Sequence, residues 1–359
     1  MKILELTRSF YPSVGGLEKF VADRFKIYQQ LGIDYKILST DFTTEKRDNN
    51  YSGEQATFLK QYTPYNITPQ IKHYLNDDYD ILSVNQFGRY FSDYAINYIS
   101  KNKKTKIILT PHFYFHTERF SLIKTLHKKI LAKNLLNKID KIICFTNVEK
   151  DFLLNGFNVD REKIVVIPHY ILGNNESDLV NDPTEKNYFF YLGRADKNKR
   201  YDILIEAFNE LKLNDIKLLL TIRKQDLTTK HRKIVDNNKN IHLLGYITEK
   251  EKIKLISNCM AVLFASDYEA FGTVILEASN YKKPILCSNL SVFKEILNDS
   301  GVIYFNNNLV SIEQAIRNFI LSDELQKTEM GNINYENLNR FRIENISEKY
   351  SVILRELIN

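Results

Sequence analysis

The sequence predicts an α/β protein made of two parallel, doubly wound sheets in tandem. Strand-like and helix-like runs alternate along the chain, the pattern that a parallel sheet with crossover helices requires. The alternation is broken once, after Pro168, by a turn-rich, apolar-poor stretch suited to an interdomain linker. A length of 359 residues supports two cores, at roughly 100–200 residues per domain.

The first half opens with a β-like run, Lys2–Thr7. After Pro12 and Gly15-Gly16 the period changes. Leu17, Phe20, Val21, Arg24 or Phe25, Tyr28 and Leu31 recur at three- and four-residue intervals up to Gly32, the stripe of an amphipathic helix. Strands are expected at Tyr35–Ser39, Tyr79–Val84, Lys106–Thr110, Lys141–Phe145 and Ile164–Ile167, with helical stretches between them. The linker contains Gly173-Asn174-Asn175-Glu176-Ser177-Asp178 and Asn181-Asp182-Pro183-Thr184. A second series follows: strand Tyr188–Leu192, helix Tyr201–Leu211, strands Lys217–Ile222 and Ile241–Leu244, helix Glu249–Asn258, strand Ala261–Phe264, helix Thr273–Tyr281 and strand Pro284–Ser288. Ile343, Ile346, Tyr350, Ile353 or Leu354, and Leu357 then mark a C-terminal helix able to pack on either half. The expected domains are 1–170 and 171–341, with 342–359 free to complete the first.

Composition narrows the function class. A hydrophobic fraction of 43% and a charged fraction of 26% are those of a globular chain, so disorder is not the theme. The net charge of +6 is too small and too spread to mark nucleic-acid binding by itself. Cys144, Cys259 and Cys287 form neither a disulfide framework nor a metal-ligand spacing, which fits a reducing, cytoplasmic setting. The N-terminal apolar run is too short for a signal peptide, and no stretch approaches the ~20 apolar residues of a membrane span. The 22 Tyr and 22 Phe beside no Trp have no functional reading.

Three constellations are able to carry chemistry. Gly15-Gly16 lies between the first strand and first helix, where free amides and the helix dipole hold phosphates, although a tight turn needs the same glycines. The spacing is not the G-x-G-x-x-G of dinucleotide enzymes. In Gly193-Arg194-Ala195-Asp196-Lys197-Asn198-Lys199-Arg200, four cations follow a strand's C-terminal end, which suits a diphosphate, although an arbitrary charge run of this kind is more often a solvated basic loop capping a helix. Glu269-Ala270-Phe271-Gly272-Thr273 leads into a helix carrying Glu277, about 7 Å along the axis from its start. Two carboxylates so separated are not a close dyad; they can hold two separate hydroxyl-bearing groups beside the helix-start amides of Phe271 and Gly272. A surface Glu and a helix-terminal Glu would look the same. Asp77-Asp78-Tyr79-Asp80 reads as a turn and not a metal site.

At these residues the chain becomes recognisable. Glu269-Ala270-Phe271-Gly272 with Glu277 resembles the E-x7-E signature of retaining nucleotide-sugar glycosyltransferases of the GT-B fold, glycosyltransferase family 4. Pro12-Ser13-Val14-Gly15-Gly16-Leu17-Glu18 resembles that family's P-x-x-G-G-x-E loop, and Thr110-Pro111-His112 its strand-end histidine. Gly193-Arg194 with Lys199 matches G-R-x-x-x-x-K, and Leu244-Gly245-Tyr246 the loop near the base. The motifs keep the family's order from about residue 3 to about residue 350, which is far more specific than any one alone.

The resemblance implies two Rossmann-like domains facing across a cleft, an acceptor site in the first and a donor site in the second. By similarity, Glu277 accepts hydrogen bonds from the ribose, and Glu269 with the Phe271 and Gly272 amides positions the transferred sugar. Ala270 and Thr273 flank them in the donor loop. Arg194 and Lys199, with Gly15 and Gly16, neutralise the diphosphate, and His112 sits beside the donor sugar and β-phosphate. His112, Glu269, Arg194 and Lys199 are the implied catalytic set; Glu18 and His116 are acceptor candidates. The expected activity is metal-independent, cofactor-free, retaining transfer from a UDP-sugar or GDP-sugar to a glycan or lipid-linked acceptor in cell-surface polysaccharide synthesis. The alternative is a non-catalytic GT-B partner subunit that assists another transferase.

Three departures stand out. Arg200 replaces a usual glycine, Ile167-Pro168-His169-Tyr170 replaces an I-P-N-G turn, and Thr221-Ile222-Arg223 lacks a Gly-rich turn. Arg119–Lys138 places Leu122 or Ile123, Leu126, Ile130 and Leu135 on one face and Lys124, Lys128, Lys129, Lys133 and Lys138 largely on the other. Such a helix either covers a sheet or lies peripherally on an anionic membrane.

Overall fold

Two all-parallel sheets organise the chain. In the computed structural model, which describes residues 1–13, 15–42, 56–62, 67–101, 104–112, 131–172 and 187–358, they belong to separate compact units. One unit is Met1–His169 with Ile343–Asn359, and the other is Tyr170–Arg342.

The first sheet contains β1 (Lys2–Thr7), β2 (Asp34–Thr40), β3 (Thr57–Leu59), β4 (Ile81–Asn85), β5 (Lys106–Thr110), β6 (Lys141–Cys144) and β7 (Ile164–Val166), in the order β3-β2-β1-β4-β5-β6-β7. The order reverses between β1 and β4, so the crevice at the carboxyl ends of these two strands is the place where such a sheet binds ligands. Ile3 lies opposite Ile81 and Leu6 opposite Val84 in that pairing. The central strands are buried along their length because helices cover both faces, which is why they read as unbroken apolar runs such as Ile107-Ile108-Leu109.

The helix Gly16–Gln30 covers this sheet and buries Phe20, Val21, Arg24, Phe25 and Tyr28, the predicted stripe. The ambiguity at Arg24 resolves unexpectedly: both Arg24 and Phe25 are buried. The C-terminal helix Ile343–Ile358 belongs to this unit, with Ile346, Tyr350, Ile353, Leu354 and Leu357 inward. Its Ser347 hydroxyl donates to Gln30, and Glu356 pairs with Lys141.

The second sheet contains β8 (Tyr188–Tyr191), β9 (Lys217–Leu220), β10 (Ile241–Leu243), β11 (Ala261–Phe264), β12 (Ile285–Ser288) and β13 (Val302–Phe305), in the order β10-β9-β8-β11-β12-β13. Its reversal lies between β8 and β11, where Phe190 pairs with Val262. The core is dominated by Phe189, Leu204, Phe208, Leu218, Leu263 and Phe319.

Periodicity missed several elements. β3, β13 and the helices Thr229–Asn237, Leu309–Leu321 and Glu324–Glu336 were not anticipated. β3 and β13 are edge strands of three and four residues. Only Gly331 and Asn334 are buried in Glu324–Glu336, so that helix has no apolar stripe to detect. The linker segments 173–178 and 181–184, His116 and the greater part of the 119–138 stretch lie outside the described residues. Its described end, 131–136, is helical and turns Ala132, Leu135 and Leu136 into the core of the first unit.

Candidate functional site

In the second unit the two predicted motifs follow the two strands that flank the reversal. Gly193–Lys199 leaves β8 and Ser266–Gly272 leaves β11, so a site assembles from segments about seventy residues apart. Lys199 ends the short turn Lys197–Lys199, and its ammonium bonds Glu269 Oε1. Ser266 Oγ donates to the same oxygen at 2.8 Å, so both bonds fall on Oε1 and Oε2 is left as the carboxylate's other acceptor. The loop is pinned beneath by Ser288 Oγ accepting from the Ser266 amide at 2.6 Å, and beside by the Asp267 amide donating to the Asn198 carbonyl at 2.8 Å.

Glycine is required at two positions here. A Cβ at Gly193 would lie 2.7 Å from the Tyr191 hydroxyl oxygen, and Gly272 has φ +87° with Phe293 2.9 Å from any added Cβ. Gly272 precedes the helix Thr273–Asn280, whose first-turn amides lack intrahelical acceptors. Phe271 is 2% exposed with its ring edge-on to Phe341, so its contribution to a ligand is its backbone alone. Arg200 adopts φ +47°, ψ +34°, which accounts for the glycine usual at this position; its guanidinium meets Asp267 at 3.1 Å and Asp202 at 3.4 Å. The cation cluster therefore does not act as one. Lys199 is held by Glu269, Arg200 by two aspartates, and Arg194 stands exposed with Asp196 at 3.0 Å.

Glu277 is buried on the Thr273–Asn280 helix, 3.1 Å from Lys252 Nζ. Lys252 was missed by sequence reading. It stands in the first turn of Glu249–Asn258, fixed by the capping box of Thr248 and Glu251, and no motif spacing relates it to Glu277. Tyr246 is 48% exposed beneath the Arg223 guanidinium, 5.1 Å from its ring centroid, and Arg223 is held by a bidentate pair with Asp226 at 2.8 Å.

In the first unit His112 follows β5, with φ +56°. Its ring stands edge-on to Phe20 and Phe145, both at 5.0 Å, and Nε2 lies 3.1 Å from Asn85 Oδ1. Burial, then the neighbouring His169 and Arg24, push its pKa well below the usual histidine value, so the ring is neutral. Asn85, the last residue of β4, belongs to a buried network that sequence reading did not find: Arg24 bonds Glu5, Asn85 and Thr110. Burial raises the Glu5 pKa although Arg24 opposes the shift. Burial also works against the Arg24 charge, but Glu5 together with Tyr28 and Tyr350 outweighs it, so the Arg24 pKa is raised.

Gly15 is extended, with φ −170°, and precedes Gly16 at the start of the first helix. Glu18 points inward: it is 6% exposed and accepts from Ser9 Oγ, with Oε2 2.7 Å from the place of a Cβ on Gly15. The same sheet edge carries a pocket lined by Arg8, Thr40, Gln61, Asn85, Gln86 and Arg89. Among the described residues no group of three His, Cys, Asp or Glu is placed to hold a metal ion. Asp80 instead accepts from the Lys2 amide at 2.7 Å, and Asp77 from the Tyr79 hydroxyl at 3.2 Å.

Residues 14–171 match the Glycosyltransferase Family 4 family, and residues 175–336 match Glycosyl transferases group 1. The chain belongs to the GT-B glycosyltransferases. This glycosyltransferase is 26% identical over 346 residues to an uncharacterized glycosyltransferase of Methanocaldococcus jannaschii, covering 91% of each chain. It is 25% identical over 202 residues to the O-antigen chain mannosyltransferase of Salmonella typhimurium, covering 55% of this chain and 56% of the relative. Among solved structures it resembles Anabaena HepE in complex with UDP and glucose, with TM-score 0.80 and 17% identity over 99% of this chain and 100% of that one. No described helix of the glycosyltransferase is long and apolar enough to cross a membrane.

Proposed function

We propose that this glycosyltransferase moves a sugar, with retention of anomeric configuration, from a nucleoside diphosphate sugar to a glycan or lipid-linked glycan in cell-surface polysaccharide assembly. The observation that carries the reading is the Lys199–Glu269–Ser266 cluster at the β8/β11 reversal, followed on the helix after Gly272 by Glu277, which Lys252 holds. Glu277 offers a carboxylate to the ribose hydroxyls, and Tyr246 offers an aromatic face to the base. Glu269 receives sugar hydroxyls on Oε2, and Lys199, Arg194 and the amides at Gly272–Thr273 meet the diphosphate. UDP is the favoured nucleotide, in keeping with the HepE complex. The O-antigen mannosyltransferase, and the Campylobacter jejuni transferase named for a diphospho-undecaprenol acceptor, support a surface-glycan role.

In the reaction the bond between the anomeric carbon and the diphosphate oxygen breaks, and its electron pair leaves with the diphosphate. The acceptor hydroxyl adds on the same face and gives its proton to the departing phosphate oxygen. Charge grows on that oxygen in the transition state, so cations and amides already in place stabilise the transition state more than the bound donor. The acceptor is assigned to the first unit. Segment 119–138 is proposed to contact an anionic bilayer.

Thermal unfolding with UDP, GDP, ADP and their sugars tests the donor reading. A ligand at 100 times its Kd adds about 2.7 kcal/mol to stability. No shift with any of them would overturn the reading in favour of a non-catalytic subunit. With the donor identified, the anomeric configuration of the product by NMR decides retention, and full turnover by Glu269→Gln would remove Glu269 from the site. Flotation with phosphatidylglycerol vesicles decides the membrane contact.

A further inference from the structure

The network behind His112 determines more than its position. Asn85 Nδ2 donates to the Leu6 carbonyl at 2.9 Å and to Glu5 Oε1. A backbone carbonyl only accepts, so the Asn85 amide cannot flip without setting two oxygens against each other. Its Oδ1 therefore faces the other way, where Arg24 Nη2 donates to it at 2.8 Å and His112 Nε2 lies 3.1 Å away. Since an amide oxygen has no proton to give, the proton of that contact belongs to His112 Nε2. Arg24 cannot swing away, being held by Glu5 and by Thr110 at 3.2 Å.

We propose that Asn85 is a positioning residue that fixes His112 as its Nε2–H tautomer and leaves Nδ1 as the acceptor nitrogen of the ring. Burial and the nearby Arg24 charge hold the ring neutral, which keeps Nδ1 from acquiring a proton of its own. The tautomer does not depend on the proposed transferase activity.

Two measurements test the inference separately from that activity. In protein labelled with 15N at histidine, the His112 signal, assigned by its loss in His112→Asn, is expected to show Nε2 protonated and Nδ1 bare; a proton on Nδ1 overturns the proposal. A folded Asn85→Ala variant is expected to show mixed tautomers, and an unchanged signal there overturns the positioning role.

Discussion

The two units build polar centres at the same place in the same topology and use charge in opposite ways. In the first, Glu5, Arg24 and Asn85 at the β1/β4 reversal are 0%, 1% and 3% exposed and bond one another. In the second, Lys199 and Glu269 at the β8/β11 reversal are partly exposed, and Arg194 is open to solvent. A buried pair breaks at high cost when one partner is lost, because the other charge cannot return to water; an open pair costs little to break and keeps its charges available to a ligand. The first centre is thus a frame and the second the candidate site.

The largest expected effect breaks the frame. Arg24→Met leaves the Glu5 carboxylate buried without its cation and is expected to cost about 3–5 kcal/mol in chemical denaturation. Adding Glu5→Met should restore most of it; no restoration would show that the pair is not the cause. In the second unit the pair is less deeply buried, with side chains 19% and 10% exposed, and, compared with Arg24→Met, Lys199→Met is expected to cost less stability. Its turnover should fall on the order of a hundredfold, read from initial rates once the donor is known. A large melting shift with normal turnover would reverse the contrast between the units. Lys252→Met sharpens it further: Glu277 loses its anchor, and nucleotide affinity by calorimetry is expected to weaken about tenfold while kcat holds.

A further contrast lies in the pH dependence of the first unit. Burial, then Lys19 and Arg24, depress His169 from 6.5 to about 3, so between those values the unfolded chain binds a proton that the folded one refuses. Stability therefore falls as pH drops below 6.5, by at most about 1.4 kcal/mol per pH unit from this group. Asp93 acts with the opposite sign: burial raises it to about 6 although the Gly88 and Arg89 amides resist, so folding takes up its proton between 3.8 and 6. His169→Gln should flatten the acid decline and Asp93→Asn should steepen it. Equal slopes in both variants, measured by denaturation from pH 7 to 4, would refute this assignment.

Legibility along the chain followed the range of the interactions. The central strands of the two sheets and the helix Tyr201–Leu211 were readable because burial imposes a local pattern. Glu269, Lys199 and Gly272 were readable as parts of a motif. Lys252, Ser266 and Asn85 were not, because their function lies in bonds to residues distant in sequence or, for Ser266, in the fold of an irregular loop. Arg24 was even placed on the right helix face, but nothing nearby marks it as a buried cation, since its partners Glu5, Asn85 and Thr110 come from three different strands.

The sequence by itself determined the tandem α/β architecture and the residue types gathered for a nucleotide sugar, because hydrophobic period and motif spacing are short-range properties. Only the tertiary structure decided which of those charges are held and which are open, and which ring nitrogen of His112 carries the proton. Both depend on burial and on the direction of hydrogen bonds between strands adjacent in space and far apart in the chain.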